Sequence, residues 1–249
     1  MAPVRWWRSA KPVPLSGSAV LCVVARGPLH LRLWSRRSLI PILQPSEFES
    51  PIMNAFSPPA RFADHPVDPM FTERRSGRAY NTATAIPEAE LLTLLEAGRW
   101  APSGSNTQPT RLVWGLRGDA VFAAIADTLA PGNRLWAEKA AALVVVASLT
   151  HKTQDGAQVA LPSHAFDAGA AWMSIALQAH LRGWMAHAMG GFDKAKAAEV
   201  LGLTGPVQLH VVVAIGQKGD ASLLPEGLAA REVPSQRLPL SEIARNTAA

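Results

Sequence analysis

Arg74-Arg75-Ser76-Gly77-Arg78, then the leucine pairs Leu91-Leu92 and Leu94-Leu95, then Ala101-Pro102-Ser103-Gly104-Ser105-Asn106-Thr107-Gln108-Pro109: this stretch decides how the chain is read. Arg74, Arg75 and Arg78 set three permanent cations ahead of a helix, with the Ser76 hydroxyl among them. Guanidinium forks match phosphate oxygens in charge and geometry, so a phosphate monoester is their natural guest. In the second motif Pro102 and Pro109 stiffen the backbone, while Ser103, Ser105, Asn106 and Gln108 offer donors and acceptors suited to the edge of a planar heterocycle. Taken alone, an arginine-rich turn is usually a solvated face and a Ser/Gly/Asn/Pro cluster usually an ordinary loop. Their placement on either side of one helix is the stronger signal.

Working outward, Pro87 at a first helical turn, with Glu88 and Glu90 placed favourably against the helix dipole, starts a helix that ends near Trp100, ahead of Pro102. Residues 111–117 read as a short strand, 120–129 as a helix and 135–141 as a further helical turn or two. Ala142 to Leu149, with three consecutive valines, reads as a strand apolar on both faces and therefore central. Residues 151–163 are polar and read as a mobile loop bordering the site. Residues 166–181 form a helix apolar nearly all round, with alanines between Phe166, Trp172, Met173, Ile175, Leu177 and Leu181. Such a helix is buried on every side, in a core or in a subunit interface. Strands at 184–188 and 207–215 enclose a helix through Val200 that is capped by Asp193 or Phe192.

The motifs, in this order, resemble the opening of the nitroreductase family of FMN-dependent oxidoreductases. Ala188-Met189-Gly190-Gly191-Phe192-Asp193 resembles that family's second flavin-contacting loop, and Gln236-Arg237-Leu238-Pro239-Leu240 the C-terminal stretch that returns a cation to the phosphate. The likeness runs from about Met70 to about Ile243. It departs at Thr110, where many relatives carry Trp, and at Ser235, where some carry Lys.

The resemblance implies an α+β fold, a central and mostly antiparallel sheet flanked by helices, in an intertwined homodimer whose flavin sites draw on both subunits. It assigns the FMN phosphate and ribityl chain to Arg74, Arg75, Ser76 and Arg78, helped by Arg237. Pro102, Ser103, Asn106 and Gln108 lie near the isoalloxazine ring, some of them from the opposite subunit. Met189, Gly190 and Gly191 pass close to the ring, where glycine lets the backbone approach. No side chain acts as nucleophile, since the flavin carries the chemistry. NADH or NADPH reduces FMN and leaves, and a nitroaromatic, quinone or related acceptor then enters the same cleft. Three readings stay open beside one another: that reductase, a specialised relative (flavin-fragmenting, dehalogenating, or aldehyde- or enone-reducing), and a flavin-binding protein without turnover.

Other chemistries find little support. No Gly-x-Gly-x-x-Gly follows a strand, so a nicotinamide dinucleotide would stack over the flavin rather than fill a Rossmann site. The seven histidines show neither a metal spacing nor a Ser-His-Asp set, and the single cysteine, Cys22, allows no intramolecular disulfide and fits a reducing, cytoplasmic setting. The net charge of +5 hides an asymmetry. Arg5, Arg8, Lys11, Arg26, Arg32, Arg36 and Arg37 stand in residues 1–46 without an acid, and the 17 basic residues that remain face 19 acidic ones. A charge confined to an extension argues against nucleic acid as a partner. That extension, residues 1–52, lacks the uninterrupted apolar length of a signal peptide or a membrane span, so no membrane partner is expected. It reads as a disordered leader, or as sequence ahead of a true start at Met53, with the flavin-binding domain over 53–249.

Overall fold

A computed structural model describes residues 61–246; the expectation for residues 1–52 lies outside them. Pro69–Glu73 forms α1, capped by the Asp68 carboxylate, which accepts from the Met70 N–H. Glu88–Arg99 forms α2 and Thr110–Leu116 forms β1. Ala120–Ala126 is α3 and Pro131–Ala137 is α4. Asp119 ties β1 to α3 by accepting from Leu116 N and from Phe122 N. Proline pre-shaped for a first helical turn starts α4 at Pro131, four residues earlier than the apolar pattern suggested.

Ala142–Leu149 is β2, buried at every position as a central strand should be. The polar stretch that follows is not a simple loop. His151–Gln154 (β3) and Ala157–Ala160 (β4) pair antiparallel around Asp155-Gly156, both with positive φ, the backbone that a two-residue hairpin turn needs. All of β4 is exposed, so no apolar alternation marked it in the sequence.

His164–Leu181 is the long helix α5, Met185–Met189 is β5, Lys194–Val200 is α6 and Val207–Gly216 is β6. Asp193 is the cap of α6, accepting from Lys196 N. Two short helices, Glu226–Ala229 (α7) and Leu240–Ile243 (α8), close the described chain. No described helix is long and apolar enough to cross a membrane.

The main sheet has the order β1-β2-β6-β5 and every pairing is antiparallel. Each face carries a core. Leu143, Val145, Ala147, Leu209, Val212 and Ala214 face one that includes Tyr80, Phe122, Ile125 and Trp136. Val144, Val146, Val213 and Ile215 face the other, with Leu91 and Leu94 of α2 and Ala168, Ile175 and Ala179 of α5. Each fully buried Val, Leu or Ile contributes about 1.5–3 kcal/mol on transfer from water, so β2 and β6 form the stable centre. Gly98 lets α2 settle on α5: a Cβ there would stand 2.8 Å from the Ile175 side chain.

The β2–β6 ladder contains a bulge. Val146 pairs with Val211 and Ala147 with Leu209, so His210 is the extra residue. Leu209 and Val212 consequently share one core while Val211 packs against the other, and His210 reaches the Ser148 hydroxyl.

The helix α5 is not enclosed by the described residues. Phe166 is 82% exposed and Leu181 64%, with Met173 also exposed, so the all-round burial expected of it is not reached within one chain.

Candidate functional site

The arginine motif becomes a pocket. Arg74, Arg75, Ser76 and Arg78 line a cavity of about 270 Å³ together with Arg237 from the C-terminal segment, and with Arg61, His187 and Glu232. Glu232, whose side chain is 4% exposed, is what holds the motif's shape. Its Oε1 accepts from Arg75 Nη2 at 3.1 Å, from the Arg78 N–H at 2.8 Å and from the Ala79 N–H at 3.4 Å, and its carbonyl also accepts from Arg75 Nη2. Gly77 fits beneath this carboxylate, since a Cβ there would lie 2.7 Å from Oε1 and 2.7 Å from Met185 Sδ.

Among the described residues the remaining cations of the pocket, Arg61, Arg74, Arg231 and Arg237, have no such partner. Arg74 Nη1 reaches Ser76 Oγ at 3.4 Å, and Arg237 Nη1 donates to Ser235 Oγ, so the departure at Ser235 supplies an acceptor for Arg237 where a lysine would add charge. Burial first, and the neighbouring Arg237 second, lower the pKa of both Arg61 and Arg74 from the ordinary arginine value.

From this pocket the site continues along β5. His187 Nδ1–H donates to the Gly77 carbonyl at 3.1 Å, and its ring lies 4.6 Å from that of Trp136, over which Arg78 also sits. Burial lowers the His187 pKa most, the hydrogen bond to Gly77 and the Glu232 charge oppose it, and Arg78 and Arg74 lower it further; the net shift favours the neutral ring, whose Nε2 is then an acceptor. Met189 turns its side chain into the core. Gly190 faces open space, and the Gly191 carbonyl accepts from Ala130 N and Asn133 Nδ2.

The second motif lies elsewhere in the chain. Ser105, Asn106 and Gln108 all adopt positive φ, near +50°, a region that non-glycine residues seldom occupy. The loop is pinned by Gln108 N donating to Ser103 Oγ at 2.9 Å and by Gly104 N donating to the buried Asp167 carboxylate, which Ser163 Oγ also reaches. Pro102, Asn106 and Gln108 are exposed. The Thr107 hydroxyl is buried without a hydrogen-bond partner among the described residues. Beneath the loop's exit, where Thr110 pairs with Ser148, the fully buried Ser148 Oγ lies 2.8 Å from His164 Nδ1 and 2.7 Å from His210 Nε2.

The two motifs therefore occupy opposite ends of α5. The loop is tied to Asp167 near its start, whereas His180 near its end lies 3.7 Å from Glu73, beside the arginines. The helical rise between those residues is about 20 Å.

Arg61, His187, Glu232 and Trp136 had no local signal in the sequence, because each enters the site only through tertiary packing. Among the described residues, no group of three or more His, Cys, Asp or Glu is arranged to hold a metal ion.

Comparison with known proteins gives the family and the fold. The model of the nitroreductase family matches residues 71–134 and 117–217. A crystal structure of an FMN-containing oxidoreductase is 42% identical, with a TM-score of 0.74, covering 76% of this chain and 95% of that one. YdgI of Bacillus subtilis strain 168, provisionally named an NAD(P)H nitroreductase, is 29% identical over 206 residues, 69% of this chain and 92% of its own. A provisionally named nitroreductase from Exiguobacterium sibiricum 255-15, solved with FMN, shares the fold at 23% identity and a TM-score of 0.60, covering 76% of this chain and all of its own.

Proposed function

The chain belongs to the nitroreductase family, as an FMN-dependent oxidoreductase, and we propose that it takes electrons from NADH or NADPH and passes them to a small nitroaromatic, quinone or related acceptor. The observation that carries this reading is the single pocket that gathers Arg74, Arg75, Ser76, Arg78 and Arg237 from two distant segments. The donor set fits a phosphate dianion: several guanidinium groups face one buried carboxylate, and Arg61 Nε is buried with no acceptor among the described residues.

FMN, when bound, would supply the transfer of two electrons as hydride between donor and acceptor. The protein's part is placement. Arg74, Arg75, Arg78 and Arg237, with the Ser76 hydroxyl, would hold the phosphate in the cavity that His187 of β5 also lines. There the neutral His187 ring offers an acceptor at Nε2 for a hydroxyl. The backbone at Gly190 and Gly191, with Met189 behind it, leaves room for a flat ring to approach. Pro102, Ser103, Asn106 and Gln108 reach the ring from a second copy of the chain. The separation of the two motifs along α5 supports this, as do the exposed Phe166, Met173 and Leu181, which a partner would cover. Donor and acceptor then use one cleft in turn, in a cytoplasmic enzyme.

An anaerobic absorbance titration of protein loaded with FMN, against NADH and NADPH, tests the proposal. Loss of the flavin band near ~450 nm with either donor, and its return on adding a quinone or nitroaromatic, is the expected result. Bound flavin that neither donor bleaches would favour a binding protein without turnover, and failure to bind FMN would overturn the reading of the pocket.

A further inference from the structure

We propose that Arg61, which lies 13 residues ahead of the arginine motif, is a ligand of the flavin phosphate and a determinant of preference for FMN over riboflavin. The inference rests on the pocket being a flavin site. Arg61 is not a loose surface cation. Its Nη1 donates to the Thr72 carbonyl at 3.1 Å and to the Arg74 carbonyl at 2.8 Å, so the end of α1 holds the guanidinium at the wall of the cavity. Among the described residues its Nε has no partner, and it is buried. A buried donor left without an acceptor is rare in folded proteins, and one on a cation is the more costly kind, so this N–H calls for an anion.

Charge accounting within the pocket leads to the same residue. Glu232 is the single acid among the described residues that line it, and its Oε1 is taken by Arg75 and by the Arg78 and Ala79 amides. Its Oε2 lies 3.9 Å from Arg78 Nη1. Arg75 and Arg78 are thus already matched in part. Arg61, Arg74, Arg231 and Arg237 line the pocket and form no ion pair with any described carboxylate; burial first, and the charge of Arg237 second, weaken the hold of Arg61 and Arg74 on their protons. A doubly charged phosphate relieves that repulsion; riboflavin, which lacks the phosphate, does not.

The test compares two ligands on three proteins. Dissociation constants for FMN and for riboflavin are measured by quenching of flavin fluorescence on the wild type, Arg61→Gln and Arg61→Lys, with circular dichroism to confirm folding. Glutamine keeps an N–H for the Thr72 and Arg74 carbonyls but removes the charge. The expected result is a loss of FMN affinity of about tenfold or more in Arg61→Gln, an unchanged riboflavin affinity, and partial recovery of FMN affinity in Arg61→Lys. Equal weakening of both flavins would assign Arg61 to holding α1 and overturn the proposal. Unchanged FMN affinity would do the same. If the wild type itself binds FMN no more tightly than riboflavin, the phosphate reading of the pocket fails first, and this inference falls with it.

Discussion

The arginine pocket and the Ser103–Gln108 loop are built on opposite principles. In the pocket, shape comes from charge: one buried carboxylate, Glu232, fixes Arg75 and two backbone amides, beside cations that pair with no described carboxylate. In the loop, shape comes from backbone geometry, with three non-glycine residues at positive φ held by neutral hydrogen bonds and by Asp167. The difference teaches where each half is vulnerable. Removing one ion should unmake the pocket, whereas the loop should tolerate, and even gain from, a change of residue type.

The largest effect expected is that of Glu232→Ala. Stripping the carboxylate leaves Arg75 and Arg78 without their buried partner, and breaking such a pair costs about 3 kcal/mol. Urea unfolding should show that loss; a midpoint equal to wild type would mean that the pocket is held by something other than Glu232. Ser105→Gly should act in the opposite direction. With φ at +50°, Ser105 occupies a conformation costing an L-residue about 1 kcal/mol, which glycine avoids, so a thermal melt should show a stabilised protein. A lower melting temperature would indicate that the strain is not localised there.

The smallest effect separates the halves by pH. His187 in the pocket and His210 under the loop both have pKa values lowered from 6.5, in each case by burial before any other cause. Charges confronting His187 are Arg78, Arg74 and Glu232; those confronting His210 are His164 and Lys194. A depressed histidine pKa means that the unfolded chain binds the proton more readily. The stability contributed by the neutral ring is therefore present above 6.5 and is lost as pH falls from 6.5 through the lower folded value. Melting temperature should decline over that range, and His187→Gln and His210→Gln should each flatten part of the decline. A decline untouched by both substitutions would remove these rings from the account.

The pocket was largely legible before any coordinates, because arginine announces its chemistry by residue type and Arg74, Arg75 and Arg78 are adjacent in sequence. Its supports were not: Glu232 lies far down the chain, and nothing local distinguishes it from a solvated glutamate. The central strands were equally readable, since burial on both faces leaves the run of valines in β2 as its mark. The loop shows the limit. Its polar residues drew attention, yet the positive φ of Ser105, Asn106 and Gln108 belongs to no residue preference and had to be seen. The hairpin β3–β4 was missed for a related reason, because a strand exposed on both sides leaves no alternation to detect. The apolar surface of α5 was legible as a demand for burial, but an apolar sequence does not say which chain provides it, and Phe166 and Leu181 stay exposed within one chain.

The extra residue at His210 bears on how β6 tolerates insertion and deletion. A pleated strand is read in steps of two, and the bulge moves that reading frame by one. Ahead of it, Val207 and Leu209 are in one frame; beyond it, Val212 and Ala214 are in the other, yet both sets serve the same core. Excising one residue on either side of the bulge would be absorbed only if the bulge itself closed. The histidine would then return to the ordinary ladder and Ser148 would lose one of its two partners. Length variation in β6 is thereby coupled to the hydrogen bonding beneath the loop, so a change that looks neutral to packing would still be recorded at Ser148.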